Sequence, residues 1–209
     1  MNAKSKETMV EEFRIQTIQE AAMRVIARRG IAAASMQEIA DEAGIAKGTI
    51  YLYFENQQDL LEKTVDDVFL RLFRRLEAAL DNESGKFRQR LTAIVKTQIE
   101  FFDAHQDFLR LYLAVKYPEG SPSRCARSDR PQYRLFQQKL TAFFGKAIES
   151  GTVRPHDPSR LALFLEEGVI AVLMQRLNEN DSPPPDEDVE WIVSLMLEGV
   201  SSRTPRAQT

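Results

Sequence analysis

Only one cysteine, Cys125, occurs in the 209 residues, so no disulfide can form within the chain. It sits in SRCARSDR beside Arg124 and Arg127, which can lower a thiol pKa, but the segment reads as a solvated loop with the thiol a bystander. Histidine is nearly as scarce. His105 and His156 stand far apart, with no second histidine or cysteine at ligand spacing, so neither a metal site nor a cofactor is expected. No apolar run approaches the length of a membrane span, so no membrane-spanning helix and no membrane partner are expected. The opening MNAKSKETMVEEF lacks the apolar core of a secretion signal, and a cytoplasmic location is expected. A phosphate-cradling glycine loop, a nucleophile elbow and a paired metal-ligand motif are all missing. No spacing of Ser, His and acids singles out a triad, so the chain is not expected to be an enzyme. Alternating segments of strand length and internal repeats are missing too, which leaves an all-α reading.

What the chain does have is a dense run of position-specific residues from 35 to 54, SMQEIADEAGIAKGTIYLYF. Ser35 with Glu38 three residues on is a capping box and marks a helix start. Ile39, Ala40 and Ala43 give that helix an inward face, and Gly44 supplies the left-handed residue that ends it. Ile45 and Ile50 are spaced so that a second short helix, Lys47 to Tyr53, packs across the first. Ala40 falls at the crossing, where only a small side chain lets two backbones approach. A small residue, a glycine four later and a branched apolar residue six after that is the requirement of a helix-turn-helix. Lys47, Thr49, Tyr51 and Tyr53 then point outward, as donors and aromatics suited to base edges and phosphates.

This stretch resembles the DNA-binding motif of the tetracycline-repressor (TetR) family of bacterial transcriptional regulators, and GIAKGTIYLYFENQQDLL is close to that family's usual run into its fourth helix. The close resemblance covers about residues 10 to 65; beyond it only the helical pattern and total length agree. It implies that Gln37, Lys47, Gly48 and Thr49 face the major groove and that Tyr51 and Tyr53 contact the backbone or thymine methyls. The family often carries a phosphate-touching lysine at the start of the fourth helix. Gln57 stands there instead, and a neutral amide can donate to phosphate without releasing a counterion.

Charge lends this reading nothing. The whole chain carries −3, and residues 1 to 54 hold Lys4, Lys6, Arg14, Arg24, Arg28, Arg29 and Lys47 against Glu7, Glu11, Glu12, Glu20, Glu38, Asp41 and Glu42, which cancel. Weak non-specific binding and a modest salt slope are expected.

About nine helices are read. The first runs from about Glu11 to Arg29, with Phe13, Ile15, Ile18, Ala22, Val25 and Ile26 at helical spacing, and completes a three-helix head. A long fourth helix, about Asn56 to Leu80, links head to body. The expected division is a DNA-binding domain over 1–55 and a helical ligand-binding and dimerisation domain over 56–209. A fifth helix runs to about His105, a sixth from Phe108 to Lys116, and Pro118 to Pro131 is the longest candidate loop. Asp157-Pro158 caps an eighth helix. Asp186, Glu187 and Asp188 open the ninth.

The eighth and ninth helices are apolar nearly all round, so they must be buried on most sides. A second copy is the expected cover, with Leu165, Ile170, Leu173, Ile192 and Met196 at the interface of a symmetric homodimer. Two copies would read an inverted repeat in double-stranded DNA. Gln98, Phe102, His105, Phe136 and Phe143 are candidates to line an apolar pocket for a small apolar or amphipathic effector, which would release the dimer from its operator. Repression enters only through the family resemblance. The neutral head and Gln57 keep one alternative open, a helical small-molecule-binding protein with a weakened DNA role.

Overall fold

The computed structural model describes residues 6–82, 85–116, 131–178 and 182–199. Lys4, Cys125, most of the Pro118–Pro131 segment, Asp181, Val200 and the tail from Ser202 lie outside the described residues. Among those described, the chain forms nine α-helices and no strand: α1 (Lys6–Arg29), α2 (Met36–Ala43), α3 (Lys47–Ile50), α4 (Gln57–Asp81), α5 (Phe87–Ala104), α6 (Gln106–Lys116), α7 (Pro131–Glu149), α8 (Pro158–Asn178) and α9 (Pro185–Glu198). They divide into two compact units, one within Met1–Arg71 and His105–Arg130, the other within Leu72–Ala104 and Pro131–Thr209.

In the first unit α1 buries Ile18, Ala21, Ala22, Val25 and Ile26 against α2 and α6. It starts five residues before the expected Glu11, because Lys6, Glu7 and Met9 are good helix formers and the helix continues outward without a core to pack on. Phe13, assigned to the inner stripe by the sequence, is 70% exposed. Five residues separate it from Ile18, about 140° around the helix, so it leaves the buried stripe and only borders a groove with Thr17, Ala43 and Ala46. Phe69 of α4 meets Phe108 and Tyr112 of α6 edge-on, at 5.4 and 5.0 Å between ring centres.

The turn from α2 to α3 is built as its sequence requires. Ser35 Oγ accepts from the Glu38 N–H at 3.2 Å, and Glu38 Oε2 accepts from the Ser35 N–H at 3.1 Å. Gly44 has φ 69°, and the next N–H, of Ile45, reaches back to the Ala40 carbonyl at 3.0 Å. Ala40 and Ile50 are fully buried. Removing the cap, Ser35→Ala, is expected to cost about 1 kcal/mol of stability; a denaturant titration should show a lowered midpoint with unchanged slope, and Ser35→Asp should keep the wild-type value.

In the second unit α7 packs on α8, and α5 packs on α9 and α8. Phe73 stacks on Phe136 and Phe87 on Phe143, at 5.3 and 4.9 Å. Asp157 Oδ1 caps α8 by accepting from the Ser159 and Arg160 N–H groups at 2.9 and 3.2 Å. These bonds favour its charged form and hold its pKa below the ordinary carboxylate value, the Ser159 hydroxyl contributing most. Arg176 of α8 ties three helices together. Its guanidinium donates to both carboxylate oxygens of Asp103 on α5, at 3.0 and 2.7 Å. It also donates to Asp188 of α9 at 2.6 Å and to the Pro183 carbonyl at 2.8 Å.

Candidate nucleic-acid interface

The reading helix is shorter than the sequence suggests. α3 ends at Ile50, and the chain then winds through a tight turn in which Leu52 N–H reaches Thr49 O at 3.2 Å and Tyr53 N–H reaches Ile50 O at 2.9 Å. Lys47 and Gly48 are exposed and Thr49 is half-buried. Tyr51 is 48% exposed, while Tyr53 is half-buried at the edge of a groove of about 810 Å³ lined also by Lys6, Val10, Arg14 and Leu52, with Glu7 and Glu11 on its wall. Thr49 opens onto a second groove of about 370 Å³, formed with Phe13, Thr17, Ala43 and Ala46.

Gly48 has no structural reason to be glycine. Its φ is not positive, and a β-carbon placed on it would meet no atom within 4 Å. Glycine in a helix costs up to about 1 kcal/mol relative to alanine. Neither conformation nor packing within the chain accounts for that cost here.

The head's zero net charge conceals an uneven distribution. Arg24 and Arg28 both bind Glu42, at 2.8 and 2.6 Å, and Arg29 binds Glu38 at 2.6 Å. The Arg28 guanidinium, and then Arg24, hold the Glu42 carboxyl below its ordinary pKa of 4.5, so it stays charged. Three acid–base contacts are thus closed between α1 and α2. Among the described residues Lys6, Arg14 and Lys47 form no ion pair, and all three lie beside α3 or the grooves that flank it. The Gln37 amide donates to Asp41 at 2.8 Å, so on this surface it is already bound to an acid.

Gln57 departs from its expected role. Its amide donates to the carbonyls of Ala34 at 2.9 Å and Ile31 at 3.3 Å, which occupies both N–H bonds and leaves none for a phosphate. It pins the start of α4 to the α1–α2 connection. The sequence could not reveal this, because the acceptors are backbone atoms more than twenty residues away.

The candidate effector residues are divided between the two units. Gln98, Phe102, Phe136 and Phe143 are buried in the second unit. Phe136 and Phe143 are engaged in ring stacking, and the Arg90 guanidinium lies 4.9 Å over Phe143, so both read as core. Gln98 is 3% exposed, and its amide nitrogen has no acceptor. His105 belongs to the first unit and lies beyond the end of α5; its carbonyl accepts from Leu109 N–H at 3.1 Å as α6 begins.

Of the residues expected at a dimer face, Leu165, Ile170, Leu173 and Ile192 are buried within the protomer's own second unit, and Met196 is half-buried. The apolar side chains that α8 and α9 leave open are others. Phe164 is 60% and Trp191 59% exposed, and they border a groove of about 440 Å³ with Gly168, Ala171, Leu195 and Met196.

A capped α2, a left-handed glycine, a short α3 with outward donors and an all-helical remainder define a helix-turn-helix protein. Residues 18–64 match the profile of the family described as bacterial regulatory proteins, tetR family. The HTH-type transcriptional regulator BetI of Agrobacterium fabrum is 34% identical over 165 residues, covering 78% of this chain and 75% of that protein. The HTH-type transcriptional regulator YuxN of Bacillus subtilis is 27% identical over 163 residues, 75% of this chain, but the match spans only 52% of YuxN, about half its length. A solved structure of the transcriptional regulator FadR from Bacillus subtilis, in complex with stearoyl-CoA, shares the fold with a TM-score of 0.76, at 18% identity over 89% of this chain and 99% of that one. The chain belongs to the TetR family.

Proposed function

We propose that this protein is a ligand-responsive transcriptional repressor that binds an inverted-repeat operator as a homodimer. The observation that carries the reading is the run Lys47, Gly48 and Thr49 at the start of α3, its first two residues exposed, set directly after the left-handed Gly44 turn, with open space at Gly48 where a side chain would sit. A groove wall of DNA pressed against α3 supplies the close approach that the chain itself does not. Lys47, Thr49, Tyr51 and Tyr53 are the contacting side chains, Gln37 an occasional one that must leave Asp41, and Gln57 a support for the head rather than a phosphate ligand. The effector is a small apolar or amphipathic molecule held in the second unit, with Gln98 its polar contact; FadR's stearoyl-CoA is one amphipathic ligand held by a protein of this fold.

Gly48→Ala separates fold from function because the two effects have opposite signs. Filling the helix position is expected to raise the melting temperature slightly, by up to the equivalent of 1 kcal/mol. Affinity for a sequence selected by the wild-type protein from random duplexes is expected to fall about tenfold or more. Lys47→Ala and Tyr51→Ala should each weaken the same complex by about 1–3 kcal/mol without altering the circular dichroism spectrum. A wild-type protein that enriches no sequence from the pool, or a Gly48→Ala variant with full affinity, would remove the reading.

A further inference from the structure

We propose that Leu52 is a specificity-determining residue that reads a thymine methyl group; the inference rests on the operator-reading function above. Leu52 is 78% exposed, more than the other exposed large apolar side chains of the described residues. It is not a loose surface residue. Its own N–H is bonded to Thr49 O, and the following Tyr53 N–H and Phe54 N–H are both bonded to the carbonyl of Ile50, a fully buried residue. The turn that carries Leu52 is therefore anchored to the core of the head, directly after the reading helix and between Tyr51 and Tyr53. Leu52 lies at the edge of the groove beside Val10 and Arg14 without being folded into it.

α3 has only four residues, about 6 Å of helix axis, so it spans fewer base pairs than the half-site a dimer must recognise. Side chains of the following turn must supply the remaining contacts. Leucine has no donor and no acceptor. Among the features displayed in the major groove, the C5-methyl of thymine is the one an apolar side chain can recognise. A head with few unpaired cations gains little from phosphates, so an apolar contact counts for proportionally more.

The test uses the full-length protein and the duplex it selects from a random pool. Each thymine of one half-site is replaced in turn by deoxyuridine, which removes only the methyl group, and binding is measured for wild type and for Leu52→Ala. At one position the wild-type protein should lose about fourfold, the value of one buried methyl-sized group, while Leu52→Ala binds the thymine and uracil duplexes equally. Leu52→Met should retain the discrimination. Equal binding of all uracil duplexes by the wild type overturns the proposal, as does discrimination that survives in Leu52→Ala. Uniform weakening by Leu52→Ala with no thymine dependence assigns the side chain to the sugar backbone and overturns it as well. Failure of the wild type to select any sequence removes the parent function instead, so the two failures are distinct. The exposure of Leu52 means the alanine variant should fold normally, which its thermal unfolding curve checks.

Discussion

Arg176→Ala is expected to destabilise the protein by about 3 kcal/mol, the low end of the range for breaking a buried ion pair. The guanidinium is only 9% exposed and holds two carboxylates, Asp103 and Asp188, together with the Pro183 carbonyl. Its loss leaves two negative charges close together without a counter-charge and one carbonyl without a donor. Both carboxylates keep partial contact with water, at 29% and 19% side-chain exposure, and that rehydration sets the low end. The hydrogen bonds to the neighbouring carboxylates, Asp103 first, raise the arginine's pKa further above its ordinary value, so the guanidinium keeps its charge. Chemical denaturation should show the loss as a lower midpoint. Arg176→Met combined with Asp103→Asn and Asp188→Asn should recover a large part of it, since the cost lies mainly in the stranded charges. If Arg176→Ala alone unfolds at the wild-type midpoint, the hub is decorative.

On the proposed homodimer, Trp191→Glu is expected to yield monomers and to lower affinity for the proposed operator by about a hundredfold or more. Trp191 and Phe164 stand open on the groove face of α8 and α9, where a two-fold partner would meet the same residues. Buried tryptophans dominate interfaces, with truncation costs of about 2 kcal/mol or more, and a glutamate placed there would also have to be desolvated. Operator affinity falls because two linked heads bind one duplex with an advantage of about 10²–10⁴ over a single head. The substitution should not harm the protomer, since the side chain is exposed in it. Analytical ultracentrifugation of the variant decides the matter: a Trp191→Glu protein that remains dimeric at micromolar concentration places the interface on another surface.

The helix-turn-helix was legible because every part of it is local. Ser35 and Glu38 satisfy each other three residues apart, Gly44 closes α2 on carbonyls three and four residues back, and Asp157 caps the turn that follows it. Such bonds depend on short loops of chain, so the sequence spacing and the geometry are nearly the same statement. Phe13 marks the limit of that logic. Periodicity placed it near a stripe, but the stripe begins only where α2 and α6 supply something to pack against.

The charge of the head shows the other kind of information. From composition, residues 1–54 are neutral and featureless. Folding pairs Arg24 and Arg28 with Glu42, eighteen and fourteen residues away, and leaves Lys6, Arg14 and Lys47 unpaired around α3. The family resemblance gives Gln57 a phosphate-touching place, yet the fold brings two backbone carbonyls to its amide.

By itself the chain determined an all-helical protein with a three-helix reading head and two strongly apolar helices near its end, because caps, glycines and apolar spacing act over distances of one or two turns. Only the tertiary structure decided which cations stay unpaired, which amide is already bound, and that Phe164 and Trp191, rather than Leu165 and Ile192, face outward. Those outcomes depend on contacts between residues far apart in the chain, and a helix apolar on several sides carries no mark of which side its own protomer will cover.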